Sequence, residues 1–314
     1  MDNFFAVATQ VAVLFALMGV GAAARWLKLL GDAAMDGMVN LLLFVVTPCV
    51  IVDCFQRPFD RAMLGSLGLA FVFASFGHAV LIAISAWCFR ICGEDARRTL
   101  RLAAVFSNAG FMGLPLEQAI LGPRGVFFGA VYVAVFNLFL WSWGVRTMHG
   151  GGLATGAERL KTYINSGTVG IALGLPLFLL SVRLPTILAV PVHHLANLNT
   201  PLAMLVIGYS LVGARLGAVA KSGDIYVASA LRLVASPLLI VVVMLPFRRW
   251  LDVDMMLAMV IAASAPVAAM VSIFSAKFRR DVDVGVAVVS GTTLLSILTM
   301  PLVIALAMAL LSRG

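Results

Sequence analysis

Apolar residues in this chain gather in long blocks, each bounded by charge, Gly or Pro. Ten such blocks stand at 4–24, 35–55, 62–89, 98–122, 125–145, 164–182, 192–213, 225–247, 254–276 and 284–311. A helix needs about 20 mostly apolar residues to cross a bilayer, so each block is a candidate span. The connection RTMHGGGLATGAERLKTY (Arg146–Tyr163) is the long, Gly-rich one, and it divides the chain into 1–145 and 164–314, five spans each. The expected fold is an all-α membrane protein. An odd number of spans per half means the second half enters the membrane from the opposite side, so related halves would form two inverted five-helix repeats.

Two internal matches point the same way. Span 2 reads LLLFVVTPCVIV and span 7 reads LANLNTPLAMLV, which aligns Thr47-Pro48 with Thr200-Pro201. Span 4 is interrupted at Gly113–Pro115, and span 9 at Ser264–Pro266 (SAP).

Composition excludes a water-soluble chain. Hydrophobic residues make up 62% and charged residues 11% of 314 positions, against about 25% charged in a soluble domain. Mean hydropathy is +1.06. The first block follows Asp2 and Asn3 rather than a basic run and is too long for a signal-peptide core, so it reads as a retained span. The net charge of +8 is not a nucleic-acid stripe, because the basic residues sit in pairs and triples between spans. Fourteen Lys and Arg fall in the odd connections, against seven in the even connections and termini, with Arg232 inside a span. That bias places the odd loops, including 146–163, in the cytoplasm and both termini outside. Of the four cysteines (49, 54, 88, 92) none forms a CxxC pair, and packing is their expected role.

The stretch SNAGFMGLPLEQ (Ser107–Gln118) is the chemical centre of the sequence. Pro115 has no N–H and disfavours helix just before it, and Gly110 and Gly113 lie upstream. Span 4 is therefore expected to stop near Asn108 and restart near Pro115, and span 9 to break at Pro266 beside Ser264. Backbone groups freed in this way cannot face lipid and must face protein or a wet cavity. Half-helices that begin at mid-membrane aim their amide ends, which carry partial positive charge, at the break. Asn108, Gly110, Pro115, Ser264 and Pro266 are thus candidate anion-binding positions.

The run SNAGFMGLPLEQAILG with GVFFGAVYVAVFN, TPLAMLVIGYSL and SAPVAAMVSIFSAKFRRDVDVGVAVVSGTTLLSILTMPLV resembles the auxin efflux carrier family. The similarity extends from Phe4 to Leu311, to the plant PIN-type transporters and to bacterial members described as malonate or malate permeases. It implies spans 4 and 9 crossing at their breaks, with Asn108 and Pro115 in the first crossover and Pro266 in the second. It further implies a dimerising scaffold of spans 1, 2, 6 and 7 and a transport domain of spans 3–5 and 8–10. Two departures stand out: the long cytoplasmic loop of many plant members is absent, and Val267 and Ala268 follow the second crossover proline where plant members tend to carry a polar residue. The first departure favours a compact bacterial inner-membrane carrier, and the second argues against auxin as substrate.

Ionisable residues inside spans are costly and point to function. Glu117, in the first turn after Pro115, is the candidate proton carrier, or else a water-facing carboxylate held by the helix N-terminus. Arg232 either draws an organic anion into an inward-open cavity or snorkels to the headgroups. Asp53 reads as interfacial, His78 as a hydrogen-bonded core residue rather than a proton relay, and Asn137 as facing the transport-domain interior. His193-His194 do not share a helix face, so no metal site is expected there. Ser107 and Ser264 lack a nearby base and no HExxH, GxSxG or phosphate-loop motif occurs, so no enzyme and no cofactor are expected. The function expected is secondary transport of a small organic anion, a dicarboxylate such as malonate or malate first, with proton, sodium or no coupling left open. The competing readings are a cation/proton exchanger of similar design, which calls for paired acids at the crossover, and a membrane sensor that binds without moving its ligand.

Overall fold

The computed structural model describes residues 2–150, 164, 166–212 and 223–311. Most of the Gly-rich connection, at 151–163, lies outside the described residues. The described chain is helical throughout: α1 (Asp2–Trp26), α2 (Asp32–Cys54), α3 (Arg61–Cys88), α4 (Glu94–Val105), α5 (Ala109–His149), α6 (Ser166–Leu179), α7 (Thr186–Val212), α8 (Gly223–Phe247), α9 (Val253–Ser264), α10 (Met270–Lys277) and α11 (Val282–Leu311). Seven of these (α1, α2, α3, α5, α7, α8, α11) are long and apolar enough to cross a membrane. The chain is a multi-pass membrane protein, and its outward side chains agree: Phe44, Val242 and Leu298 are all more than 60% exposed. Such apolar surface suits lipid and not water. Trp26, Trp87 and Trp250, exposed at helix ends, sit where interfacial tryptophans are favoured.

Helix α5 turns back on itself at Gly122, where φ is +65° and ψ −159°, a backbone state that glycine adopts without a Cβ clash. Its first arm (109–121) and second arm (123–149) therefore run as separate helices. Connections sort onto two ends. At one, Arg280 donates to the Met148 carbonyl at 2.7 Å and pairs with Asp95 at 2.7 Å, while Tyr209 donates to Asp32 at 2.9 Å. At the other, Arg57 donates to the Pro123 carbonyl at 3.1 Å, Leu184 N to Gln56 Oε1 at 2.7 Å, and Arg124 pairs with Asp252 and Asp254.

Helix α1 packs along the second half of α7, and α6 packs against the 47–54 segment of α2. The α1–α7 crossing is tight enough that a Cβ on Gly21 would lie 2.2 Å from the Leu205 carbonyl oxygen, and one on Gly208 1.9 Å from that of Met18. Small residues allow this backbone approach, which drives helix association where lipid removes the hydrophobic difference.

Three prolines follow a widened helical turn at the same spacing. Thr47 N bonds the Leu42 carbonyl, Leu114 N that of Ala109, and Ser236 N that of Leu231, each one residue before Pro48, Pro115 and Pro237. The π turn carries the ring past the carbonyl it would strike in a regular α-turn. For this reason the helix after the first break restarts at Ala109 rather than near Pro115, the position expected from the sequence.

Candidate functional site

Both interrupted spans are broken, and the breaks cross. Helix α4 ends at Val105 and α9 at Ser264, after which Phe106 (φ −99°, ψ 113°) and Ala265 (φ −61°, ψ 146°) turn extended. Each break would leave amides and carbonyls without helical partners, and they pair with one another. Asn108 N donates to the Pro266 carbonyl at 2.7 Å and Ala268 N to the Phe106 carbonyl at 2.9 Å, forming an antiparallel bridge between Ser107 and Val267. Val267 N has no place in that ladder and donates to Thr292 Oγ1 of α11 at 3.1 Å. The crossing is thus held by backbone from two spans and a hydroxyl from a third. Sequence reasoning passed over Thr292, since a threonine inside a long apolar helix looks the same whether it bonds its own turn or a neighbour.

The two half-helices that restart, the first arm of α5 and α10, open into a cavity of about 450 Å³. Ser107, Asn108, Gly110 and Phe111 line it from one break, and Ala268, Ala269, Met270 and Ile273 from the other. The opposite wall comes from α2, with Leu43, Phe44 and Thr47, and from the second arm of α5, with Phe136, Asn137 and Trp141. The first amides of each half-helix lack intrahelical acceptors and carry the positive end of the helix dipole. No Asp, Glu, Lys or Arg appears among the described residues that line it. The cavity is therefore an apolar chamber whose polarity is concentrated at two helix N-termini, Asn108, Asn137, Ser107 and Thr47.

The C-terminal ends of the other two half-helices meet elsewhere, at Arg232. Its guanidinium donates to the Val105 carbonyl at 2.7 Å, to the Ala263 carbonyl at 2.6 Å and to Ser236 Oγ. Arg232 is fully buried and lies outside the cavity lining, so it occupies neither of the two places expected from the sequence, an open vestibule or the headgroup layer.

The structure distributes the remaining sequence candidates over three places. Asn108 and Gly110 line the cavity. Ser264 is buried at the end of α9, its hydroxyl returned to the Ile261 carbonyl at 2.8 Å, and Pro266 contributes its carbonyl to the crossing. Pro115 lines a second, smaller pocket of about 100 Å³ with Asp53, Gln118, His193 and Asn199.

Glu117 is fully buried on the first arm of α5, and neither carboxyl oxygen has a hydrogen-bond partner among the described residues. Water-facing, the alternative reading of this residue, is not where it lies. It fits against the second arm at Gly129, where a Cβ would come within 1.6 Å of Glu117 Oε2. His78 is also buried, donating from Nδ1 to the Ala74 carbonyl at 2.8 Å and stacked on Phe139 at 5.4 Å, the core role expected for it.

A sequence profile of the family described as "Membrane transport protein" matches residues 6–162. The chain belongs to the membrane transport protein family. This bears out the auxin efflux carrier resemblance at the level of the family. Residues 176–314 match the profile of the sodium bile acid symporter family. A curated archaeal protein from Methanothermobacter thermautotrophicus, described as an uncharacterized transporter, is 26% identical over 304 residues, spanning 94% of this chain and 96% of its own. For a membrane transport protein the crossing has a direct meaning: its non-helical backbone faces protein and a cavity, as such backbone must wherever lipid surrounds a chain.

Proposed function

We propose that this chain is a secondary carrier for small organic anions, working by alternating access, with the anion bound where α5 and α10 begin. One observation carries the reading: two helix N-termini, with Asn108 between them, open into the same cavity. A carboxylate there would accept from unpaired backbone amides and from the Asn108 side chain, without a fixed cation.

The lining refines the substrate class. One carboxylate is served by the helix ends, whereas Phe44, Phe111 and Phe136 give the rest of the ligand apolar surface, and a second carboxylate would have only the neutral groups Thr47, Asn137 and the Trp141 indole N–H. A carboxylate with an apolar body fits this chamber better than malonate or malate, the first candidates from the sequence, and the dicarboxylates become the comparison substrates. Single acidic Glu117 at the crossover speaks against a cation/proton exchanger, which calls for a pair. In this reading Glu117 is the proton-coupling group, because a buried carboxyl without a partner is expensive to keep charged.

Ten spans in two inverted repeats account for the packing. The broken pairs α4 with the first arm of α5, and α9 with α10, each count as one crossing, and the second arm of α5 as another. Span 1 then contacts span 7 while span 6 contacts span 2, the exchange of partners that a pseudo-two-fold axis produces. Spans 1, 2, 6 and 7 form the scaffold, through which a homodimer would assemble, and the chain sits in a bacterial inner membrane with both termini outside. The cavity lies on the side where α2 begins and α5 ends, which makes the conformation inward-facing.

Uptake of labelled phenylacetate and labelled malonate into proteoliposomes, with and without an imposed pH gradient, tests the proposal. Saturable uptake of the arylcarboxylate, abolished in protein-free vesicles, is the expected result. Binding without any accumulation of label would identify a sensor and end the carrier reading.

A further inference from the structure

Helix ends at a break come in two polarities, and a carrier has to deal with both. The C-terminal ends of α4 and α9 present carbonyl oxygens at the negative pole of each dipole. In a membrane interior such a cluster calls for a cation. The second half of this chain matches a sodium symporter family, so a metal ion is one way to meet the demand. Arg232 meets it otherwise. It enters from α8, inside the π turn Leu231–Ala235, and one planar guanidinium reaches a carbonyl in the last turn of each half-helix, Val105 at 2.7 Å and Ala263 at 2.6 Å. Ser236, one turn on, accepts from the same nitrogen that reaches Ala263, and the Tyr132 hydroxyl lies against the group. No water-exposed surface of Arg232 remains.

We propose that Arg232 is the resident cation of the crossover: its guanidinium permanently neutralises the carbonyl ends of α4 and α9, so no sodium ion binds between them. A guanidinium is charged at every physiological pH and its fork matches two acceptors at once, which a mobile ion does not guarantee through a transport cycle. Because α8 thereby grips both broken spans, Arg232 is also a positioning residue that keeps the two anion-facing N-termini at a fixed separation. This deepens the carrier reading and rests on it for the transport consequence, but the cation claim stands on the geometry alone.

The test is thermal unfolding of purified protein in NaCl, LiCl, KCl and choline chloride at equal ionic strength, which needs no substrate. Wild type should melt at the same temperature in all four. Arg232→Ser, which removes the charge and leaves room for an ion, should melt lower in choline and recover by about 3 °C or more in NaCl or LiCl, a shift that ion binding near saturation readily supplies. Arg232→Lys should keep the indifference of wild type, with a raised KM for uptake. A sodium-selective rise in wild type would overturn the proposal, as would an Arg232→Ser protein that melts like wild type in every salt. Should Arg232→Ser fail to fold, Arg232→Gln, uncharged but still a donor, replaces it, and the wild-type comparison decides in any case. Failure of uptake with the expected melting pattern would remove the carrier reading and leave the resident cation.

Discussion

The two poles of one crossover are treated in opposite ways. Where α4 and α9 end, the protein buries a guanidinium of its own, with no part of it left exposed. Where the first arm of α5 and α10 begin, the described residues supply no charged side chain and leave a chamber of about 450 Å³. The same physics acts at both, partial charges on unpaired backbone groups at helix ends in a medium of low polarity. The difference is whose charge answers them. The negative pole is satisfied within the chain, and the positive pole is left for something that comes and goes. A site that must bind and release cannot be filled by its own side chain, and the described residues that line the chamber around Asn108 include no Lys or Arg.

The sharpest way to break this contrast is to answer the positive pole from within. Ala269 is the N-cap of α10 and lines the cavity. Ala269→Asp should leave the fold intact or stabilise it, by about 0.5 kcal/mol, because a carboxylate at a helix N-terminus is favourable. The same carboxylate would occupy the anion's place, and saturable uptake should fall at least about 100-fold, the scale of a lost charge-assisted contact plus repulsion. Normal uptake by a well-folded Ala269→Asp protein would detach the cavity from transport.

Next in size is the contact that seats Glu117. Gly129→Ala sets a methyl group 1.6 Å from Glu117 Oε2, and overpacking of this kind costs about 1–3 kcal/mol. The yield of monodisperse protein should drop, and Glu117→Ala in the same chain should restore it. A double mutant no better than the single would mean the two arms of α5 are not held apart by this pair. Glu117→Gln keeps the shape and removes the titration. It should fold like wild type while losing the stimulation of uptake by an imposed pH gradient, and unchanged stimulation would assign proton coupling elsewhere.

Much of this site could be read along the chain, and the reason is local. Pro115 with its glycines, and Pro266, dictate breaks through backbone sterics alone, so both interruptions were legible, as was the polar pair Ser107 and Asn108 placed at the first. What could not be read depends on neighbours distant in sequence. Whether Arg232 reaches headgroups, a vestibule or carbonyls is decided by α4 and α9, 127 and 31 positions away. Thr292 and Gly129 look like ordinary residues of apolar helices until the crossing and the folded-back α5 bring partners to them. The restart at Ala109 was misplaced by a few residues because a π turn, which absorbs the proline, leaves no distinct mark in composition.

The smallest effects concern which polar groups at the positive pole do the recognising. Asn108 supplies its backbone amide to the crossing and its side chain to the cavity rim, and these roles separate on substitution. Asn108→Ala keeps the backbone bond to Pro266, so the melting temperature should hold within about 2 °C, while KM rises roughly 10-fold, the loss of about 1.4 kcal/mol expected for a hydrogen bond to a charged group. Asp53, paired with His193 at 3.1 Å in the smaller pocket, is the control. It is partly exposed, and exposed ion pairs contribute about 0–1 kcal/mol, so Asp53→Asn should change KM less than about two-fold. Equal effects at both positions would mean that the anion meets the two pockets alike, and that the polarity of the helix ends does not choose between them.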